Sequence, residues 1–215
     1  MSYILSWIMK ILLILLLPYL IYRADYLFAI ATLVAIVLSF VPSIVERNHR
    51  IHLPFELDFL ITLILFLHTF LGEWLMFYER VWMWDKFLHL LGSAIIALLA
   101  FVTVYSLHYT KKIRLSVPLI GFFTVIFAMA MGGIWEILEF SVDNLFDKQT
   151  QKGLADTMWD MIYDLVGGVI VAILGMLYVR YAPPDTRRRL AQPIGEIFGI
   201  KLKKRRSNRN RRGLT

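Results

Sequence analysis

Three aspartates recur at four-residue spacing in the segment DTMWDMIYDLVGG, which runs from residue 156 to residue 168. On an α-helix a step of four residues turns the side chain only about 40° around the axis, so Asp156, Asp160 and Asp164 form one acidic stripe. The residues that follow, 169–181, are almost wholly apolar, as a membrane-spanning segment is. A carboxylate at the bilayer centre costs about 2.5–3.5 kcal/mol on insertion scales, and less towards the interface. The stripe therefore indicates a function rather than a contribution to stability.

Further ionisable residues stand near the ends of three other apolar segments. In WDKFLH, Asp85 and His89 are four residues apart and share one helix face. In GGIWEILEFSVD, three acids beginning with Glu136 lie within about 60° of one another on a helix. The other members of this set are His68, Glu73, Glu139 and Asp143. We expect the set to meet at one depth on one side of the membrane, with Glu136, Asp160 and His89 close together.

The carboxylates of this region outnumber its fixed cations, which are Arg80, Lys86, Lys148 and Lys152. Either several acids are protonated or a cation is bound there. Carboxylates combined with imidazole suit divalent metal ions, so we predict a Mg²⁺, Mn²⁺ or Zn²⁺ cofactor. The predicted metal ligands are Asp85, His89, Glu136, Asp160 and Asp164. The predicted general base is Glu139 or Glu73.

Each of these residues also has a structural interpretation. Asp85 could cap its helix with Lys86 as an interfacial anchor, and each histidine could simply hydrogen-bond within a bundle. Glu139, Asp143 and Asp156 could be solvated rim residues, which is the interpretation we favour for Asp143. The glycines near the stripe are explained by close helix packing, and the tryptophans by an interfacial aromatic belt.

The composition places the chain among polytopic membrane proteins. It has 215 residues, of which 59% are hydrophobic, with a mean hydropathy of +0.65. Soluble domains are roughly 45–50% apolar. Continuous apolar runs predict an all-α transmembrane helix bundle rather than a barrel, because a membrane barrel alternates apolar and polar residues. The absence of cysteine excludes disulfides and thiolate metal sites.

Six spans are predicted, at residues 4–22, 26–45, 54–79, 84–109, 116–140 and 157–181. The chain is thus expected to be a multi-pass protein of the cell membrane, with a transmembrane domain at 1–182 and a basic cytoplasmic tail at 183–215. Basic residues are richer in the loops on the side of the tail, so both termini should be cytoplasmic. The tail should contact anionic lipid headgroups. Nucleic-acid binding is not expected, because the basic residues of the tail are not interleaved with aromatic residues. Contact with the membrane is a sufficient explanation of the net charge of +7.

The site segments resemble the YjdF-like predicted inner-membrane proteins, a domain-of-unknown-function family. The matching pieces are WDKFLH at 84–89 followed by Gly92, GGIWEILEFSVD at 132–143, and DTMWDMIYDLVGG at 156–168. They are also distantly similar to the VanZ-like proteins, which are linked to glycopeptide resistance. The residues that match that outline are Asp85, Lys86, His89, Glu136, Asp160 and Gly167. Asp164 departs from it, because the VanZ-like pattern has asparagine there, so VanZ-like function transfers less readily. Neither resemblance implies a reaction.

Three functions compete at this point. The first is a metal-dependent hydrolase or transferase that acts on a lipid or polyprenyl-phosphate substrate at the outer leaflet. The second is a cation- or proton-coupled transporter, which intramembrane acids and histidines can indicate. Against it, the acids gather on one side, no internal repeat is visible, and the cytoplasmic half is expected to hold few polar partners. The third is a non-catalytic envelope factor that binds a lipid headgroup or a partner protein. The oligomeric state stays open.

The charge distribution makes the topology testable. A reporter fused after Thr215 is expected to read cytoplasmic, and one inserted beside Lys148 is expected to read external, because the richer basic loops stay inside. Reporter activity in whole cells measures both. The reverse pattern would move the acidic site to the cytoplasmic side.

Overall fold

A computed structural model describes residues 1–199, apart from the side chain of Phe55, and within this part the chain is helical without a strand. The eight α-helices are α1 Ser2–Tyr22, α2 Tyr26–His49, α3 Leu57–Phe66, α4 Phe77–Arg80, α5 Trp84–Tyr109, α6 Val117–Phe146, α7 Leu154–Tyr181 and α8 Pro184–Ile197. Each apolar run of suitable length forms a helix because a helix satisfies its backbone groups without water.

Six helical segments are long and apolar enough to cross a membrane: α1, α2, α3 with its continuation to Trp74, α5, α6 and α7. The predicted fold class and number of spans are therefore confirmed. With six spans, the start of α1 and the end of α7 lie at the same end of the bundle. We call the opposite end, where α6 ends and α5 and α7 begin, the site end.

The three helices α5, α6 and α7 pack together most extensively. Glycines on α7 allow the close approach, since a Cβ at Gly167 would lie 2.6 Å from the carbonyl oxygen of Leu90 on α5. A Cβ at Gly168 would lie 3.1 Å from the Ala128 side chain on α6. Because Gly167 is only three residues beyond Asp164, these contacts also bring the acidic stripe of α7 close to α5 and α6.

The third span differs from the unbroken helix predicted over 54–79. It opens with a 3₁₀ turn at Pro54–Glu56, continues as α3, and widens into a π-helical stretch at Leu67–Trp74. The chain then turns at Met76, which has a φ of 59°. A Cβ at Gly72 would lie 2.5 Å from the Tyr78 ring, so the glycine makes room for the chain to fold back over the wide turn.

A second polar cluster joins α1, α2 and α3 at the end opposite the site. Lys10 is only 1% exposed, and its ammonium lies 2.8 Å from Oδ1 of Asp58. The Ser6 and Ser43 hydroxyls donate hydrogen bonds to the same carboxylate at 2.7 and 2.5 Å. Few polar partners were expected in this half of the membrane, and that expectation is wrong for these three helices.

The first part of the predicted basic tail forms α8. Leu190, Ala191 and Ile194 are buried in a core cluster that includes Phe101 and Tyr105 of α5. Residues 184–197 are therefore packed onto the transmembrane bundle. The basic run from Lys201 to Arg212, for which we predict anionic lipid contacts, lies outside the described residues.

The buried pair of α1 and α3 predicts an asymmetric response to mutation. Asp58→Asn leaves an uncompensated lysine in an apolar interior and should cost about 3–5 kcal/mol of unfolding free energy. Lys10→Met should cost less, because Asp58 keeps two serine donors and stays partly exposed. Unfolding in mixed micelles measures both changes, with Ile11→Met as the control. The double variant Lys10→Met/Asp58→Leu should recover most of the loss, and a purely additive double variant would contradict the pairing.

Candidate functional site

Three helices contribute to one polar cluster at the site end: α5 through its first two turns, α6 near its end and α7 through its first turns. The π-helical stretch beyond α3 packs beside them through the rings of His68 and Trp135. The start of α7 is set by Gly153, whose φ of 100° suits glycine and whose carbonyl accepts from the Asp156 backbone N–H. The start of α5 follows a turn closed by the Trp84 N–H bonding to the Val81 carbonyl. The two turns determine where α5 and α7 begin, and so the position along the bundle of Asp85 and of the acidic stripe.

Lys86 lies among three carboxylates of the cluster. Its ammonium is 2.5 Å from Asp156, 2.7 Å from Asp160 and 3.3 Å from Asp85. The sequence offered Lys86 as an interfacial anchor and Asp156 as a solvated rim residue. Their contact instead makes both of them members of the cluster.

The His89 ring stands at the centre of the predicted ligand set and is buried. Its Nε2 lies 3.7 Å from Oε1 of Glu136, and 3.8 Å from Oδ1 of both Asp85 and Asp160. The predicted proximity of Glu136, Asp160 and His89 is therefore confirmed. Their three helices are far apart in sequence, so the site is a product of the tertiary fold.

Asp164 meets the other nitrogen of the same ring. Both of its carboxylate oxygens lie 3.3 Å from Nδ1 of His89. In the tautomer with the proton on Nδ1, His89 would donate a hydrogen bond to Asp164. The lone pair of Nε2 would then face the carboxylates of Asp85, Glu136 and Asp160. Close packing fixes Asp164, because a Cβ at Gly132 would collide with its carboxylate.

Glu136 is buried, with 5% of its surface exposed, and only one of its two carboxylate oxygens accepts a hydrogen bond. Its Oε2 accepts a hydrogen bond of 3.0 Å from the Gln151 side chain. Its Oε1 has no hydrogen-bond partner among residues 1–199. Leaving a buried carboxylate oxygen unpaired is costly, so this atom is positioned for a positively charged partner.

The two predicted general bases lie at the edge of the cluster. Glu139 accepts a 2.9 Å hydrogen bond from the indole N–H of Trp135. The Glu73 side chain is exposed and forms no hydrogen bond or ion pair within the described part of the chain. Their role as bases stays a prediction. Asp143 accepts from the Thr150 and Gln151 backbone N–H groups, in agreement with the rim position favoured for it.

Tyr78 is a member of the site region that sequence reasoning missed. Its hydroxyl is 2.6 Å from Nδ1 of His68. Burial raises the pKa of Tyr78 well above its usual value, and the nearby charges of Asp85, Glu73 and Glu139 add to the effect. The turn at Met76 that brings Tyr78 back onto the π-helical stretch left no recognisable signal in the sequence.

The charge balance of the cluster is negative. Five carboxylates face it, from Asp85, Glu136, Asp156, Asp160 and Asp164, against the ammonium of Lys86 and the ring of His89. Even a protonated His89 leaves three negative charges if all five acids are ionised. A group of three potential ligand atoms, one each from Asp85, His89 and Asp160, lies within a mutual distance of 4.8 Å.

Comparison with known proteins gives a family without a stated reaction. A family model described as a predicted membrane protein, DUF2238, matches residues 4–181. A protein of Thermotoga maritima, described as an uncharacterized protein, is 36% identical over 132 residues. That alignment covers 60% of this chain and 66% of the relative, so the chain spans just under two thirds of that protein. No solved structure matches the chain.

The position of Lys86 predicts which acids depend on it. Lys86→Met should destabilise the protein by about 3 kcal/mol, because it leaves Asp156 and the buried Asp160 beside each other without a cation. Adding Asp156→Asn should restore part of the loss. Chemical unfolding in micelles measures the change, with the exposed Lys152→Met as the control. Equal effects of the two lysine variants would show that the ammonium is not needed for the packing of α5 on α7.

Proposed function

We propose that this chain, which belongs to the DUF2238 family of predicted membrane proteins, binds a divalent cation between α5, α6 and α7 and uses it on a phosphate-bearing lipid. The reaction class that this site supports best is hydrolysis or group transfer. The observation that carries the proposal is the convergence of three carboxylate oxygens on Nε2 of the buried His89.

The distances from the carboxylate oxygens to Nε2 of His89 are compatible with a shared metal ion. Ligands bound at about 2.0–2.3 Å to one ion lie about 2.8–4.6 Å apart when the angle at the metal is 90° or more. The oxygens of Asp85, Glu136 and Asp160 are 3.7–3.8 Å from Nε2 of His89, inside this range. The ligand atoms of Asp85, His89 and Asp160 lie within 4.8 Å of one another, so these three can share an ion after small side-chain movements. Glu136, which is close to His89 but outside that group, would have to move to join them.

The charge and the chemistry of the donors agree with this assignment. Three carboxylates and one imidazole suit Mg²⁺, Mn²⁺ or Zn²⁺. With His89 neutral, as a ligand must be, a divalent cation would offset half of the negative charge of the cluster. It would also satisfy Oε1 of Glu136, a buried oxygen that accepts no hydrogen bond from residues 1–199. Asp164 fits the role of a carboxylate that holds a ligating histidine through its other nitrogen. Its predicted role as a direct ligand is the alternative.

The substrate is inferred from the place of the site. The cluster lies at the end of the transmembrane bundle, where Trp82 and Trp159 are exposed as interfacial aromatic residues are. A lipid or polyprenyl phosphate can bring its headgroup to this depth while its chain stays in the bilayer. Lys86 is a candidate anchor for the phosphate, since an ammonium that has lost aspartate partners to a metal ion is free to bind another anion.

The chemistry follows from a cation next to such a phosphate. A bound divalent ion polarises a phosphoryl oxygen or lowers the pKa of a bound water. Glu139, or less directly Glu73, would take up a proton as the general base, and Glu139 keeps one carboxylate oxygen free of the Trp135 bond. His89, which Asp164 holds through Nδ1, would keep the metal in place while the phosphate reacts.

A cation- or proton-coupled carrier is the second candidate. The observation that favours it is the buried Lys10–Asp58 cluster at the opposite end of the bundle. Fully buried hydroxyls lie on two of the three helices of that cluster, at Thr32 and Ser39 of α2 and at Thr62 of α3. A non-catalytic factor that binds a lipid headgroup would use the same site as the enzyme but would leave the phosphate intact.

The proposed cation site predicts a metal-dependent melting temperature. A ligand that binds only the folded form at a hundredfold excess over its Kd adds about 2.7 kcal/mol of stability. One of Mn²⁺, Mg²⁺ or Zn²⁺ should therefore raise the melting temperature of the chelator-treated protein in detergent. Glu136→Gln should abolish the response with little change in metal-free stability, because Oε1 accepts no hydrogen bond and its contact with the His89 ring is long, at 3.7 Å. The exposed Glu79→Gln is the control.

Two results would contradict this function. If none of the three ions changes the melting of the parent protein, the cluster is a structural network held by Lys86. If metal-loaded proteoliposomes instead accumulate a cation or protons, and Lys10→Met abolishes that uptake, the carrier replaces the enzyme.

A further inference from the structure

We propose that the hydroxyl of Tyr78, held by His68, is a substrate-binding group that donates a hydrogen bond to the phosphate on the cation. This inference rests on the proposed function and adds a residue to it. The three steps of the argument are the fixed position of the hydroxyl, its place beside the cluster, and its protonation state.

The hydroxyl is held in one place from several sides. His68 Nδ1 lies 2.6 Å from it, and the two rings meet edge to face with centroids 5.7 Å apart. Gly72 supports the other side of the Tyr78 ring, where even a methyl group would come within 2.5 Å. Both partners lie on the stretch Leu67–Trp74, a π-helical geometry that is rare and often found at functional sites.

Ring contacts connect His68 to α6, and connect Phe77, which precedes Tyr78, to the start of α5. The His68 ring packs edge to face on Trp135, the residue before Glu136, at 5.0 Å. The ring of Phe77, the residue before Tyr78, packs on Trp84, the residue before Asp85, at 5.0 Å. The charges of Asp85 and Asp160 also act on Tyr78, so the pair lies beside the cluster.

The protonation state suits a donor. Burial and the neighbouring carboxylates keep the Tyr78 phenol protonated, since they raise its pKa well above the usual value. A phenol has one proton, so the assignment requires His68 to donate from Nδ1 to the Tyr78 oxygen. The phenol proton is then directed at a phosphate oxygen. A neutral donor of this kind adds no charge that would compete with the cation.

The test separates phosphate binding from metal binding in the full chain in detergent. Mn²⁺ is titrated first, and dodecyl phosphate and inorganic phosphate are then titrated into the Mn²⁺-loaded protein by calorimetry. Tyr78→Phe should leave Mn²⁺ affinity within about twofold and weaken Mn²⁺-dependent binding of dodecyl phosphate by about 10- to 100-fold, as expected for a lost hydrogen bond to a charged group. Tyr19→Phe is the control, because Tyr19 also lies at the site end, packed on Trp74.

A second variant displaces the hydroxyl without deleting it. Gly72→Ala should push the Tyr78 ring away from its position and weaken phosphate binding in the same direction. Equal loss for inorganic and dodecyl phosphate assigns the bond to the phosphate itself, while loss for dodecyl phosphate alone assigns it to a lipid-bound headgroup. Either pattern supports the donor.

The failures are distinguishable. Unchanged phosphate binding in Tyr78→Phe overturns the donor and leaves the cation site standing. A matching loss of Mn²⁺ affinity overturns it as well, because the hydroxyl would then serve the metal or the fold. A parent protein that binds Mn²⁺ but no phosphate overturns both the donor and the phosphate-bearing substrate.

Discussion

Charge neutralisation at low dielectric is the constraint on which this structure depends. Ionised carboxylates inside a bilayer need partners, and the chain supplies Lys86 and His89 from one helix, α5, to acids on α6 and α7. This pairing orders the packing, because the three helices must meet at the depth and rotation at which the groups touch. The same pairing leaves the site short of positive charge, and that shortage is the physical basis for a cation site.

The bundle handles its second ionisable cluster differently. Lys10 and Asp58 balance one charge against one, and two serine hydroxyls complete the coordination of the carboxylate. Such a pair needs no further ligand, which suits a role in joining α1 to α3. The contrast between a balanced pair at one end and an excess of acids at the other favours chemistry at the site end alone. It also explains why the carrier is the weaker of the two candidate functions.

Small residues make the close contacts of the site possible. Gly132 accommodates the Asp164 carboxylate, Gly167 lets α7 approach the α5 backbone, and Gly72 accommodates the ring of Tyr78. A role in helix packing was expected from the sequence for Gly132 and Gly167. In the structure Gly132 and Gly72 make room for one side chain each, and Gly167 makes room for a neighbouring helix.

The sequence by itself determined the six spans, the acidic stripe and the gathering of Asp85, His89, Glu136 and Asp160 at one end. Hydropathy and helical periodicity are local properties, and alternating spans place the ends of distant helices at a common depth. Only the tertiary structure decided that Lys86 lies inside the cluster, that Asp164 meets Nδ1 of His89, and that Tyr78 returns to the site. Those facts depend on how the helices rotate against each other and on the turn at Met76. Both are set by contacts between residues far apart in the chain, which no local pattern records.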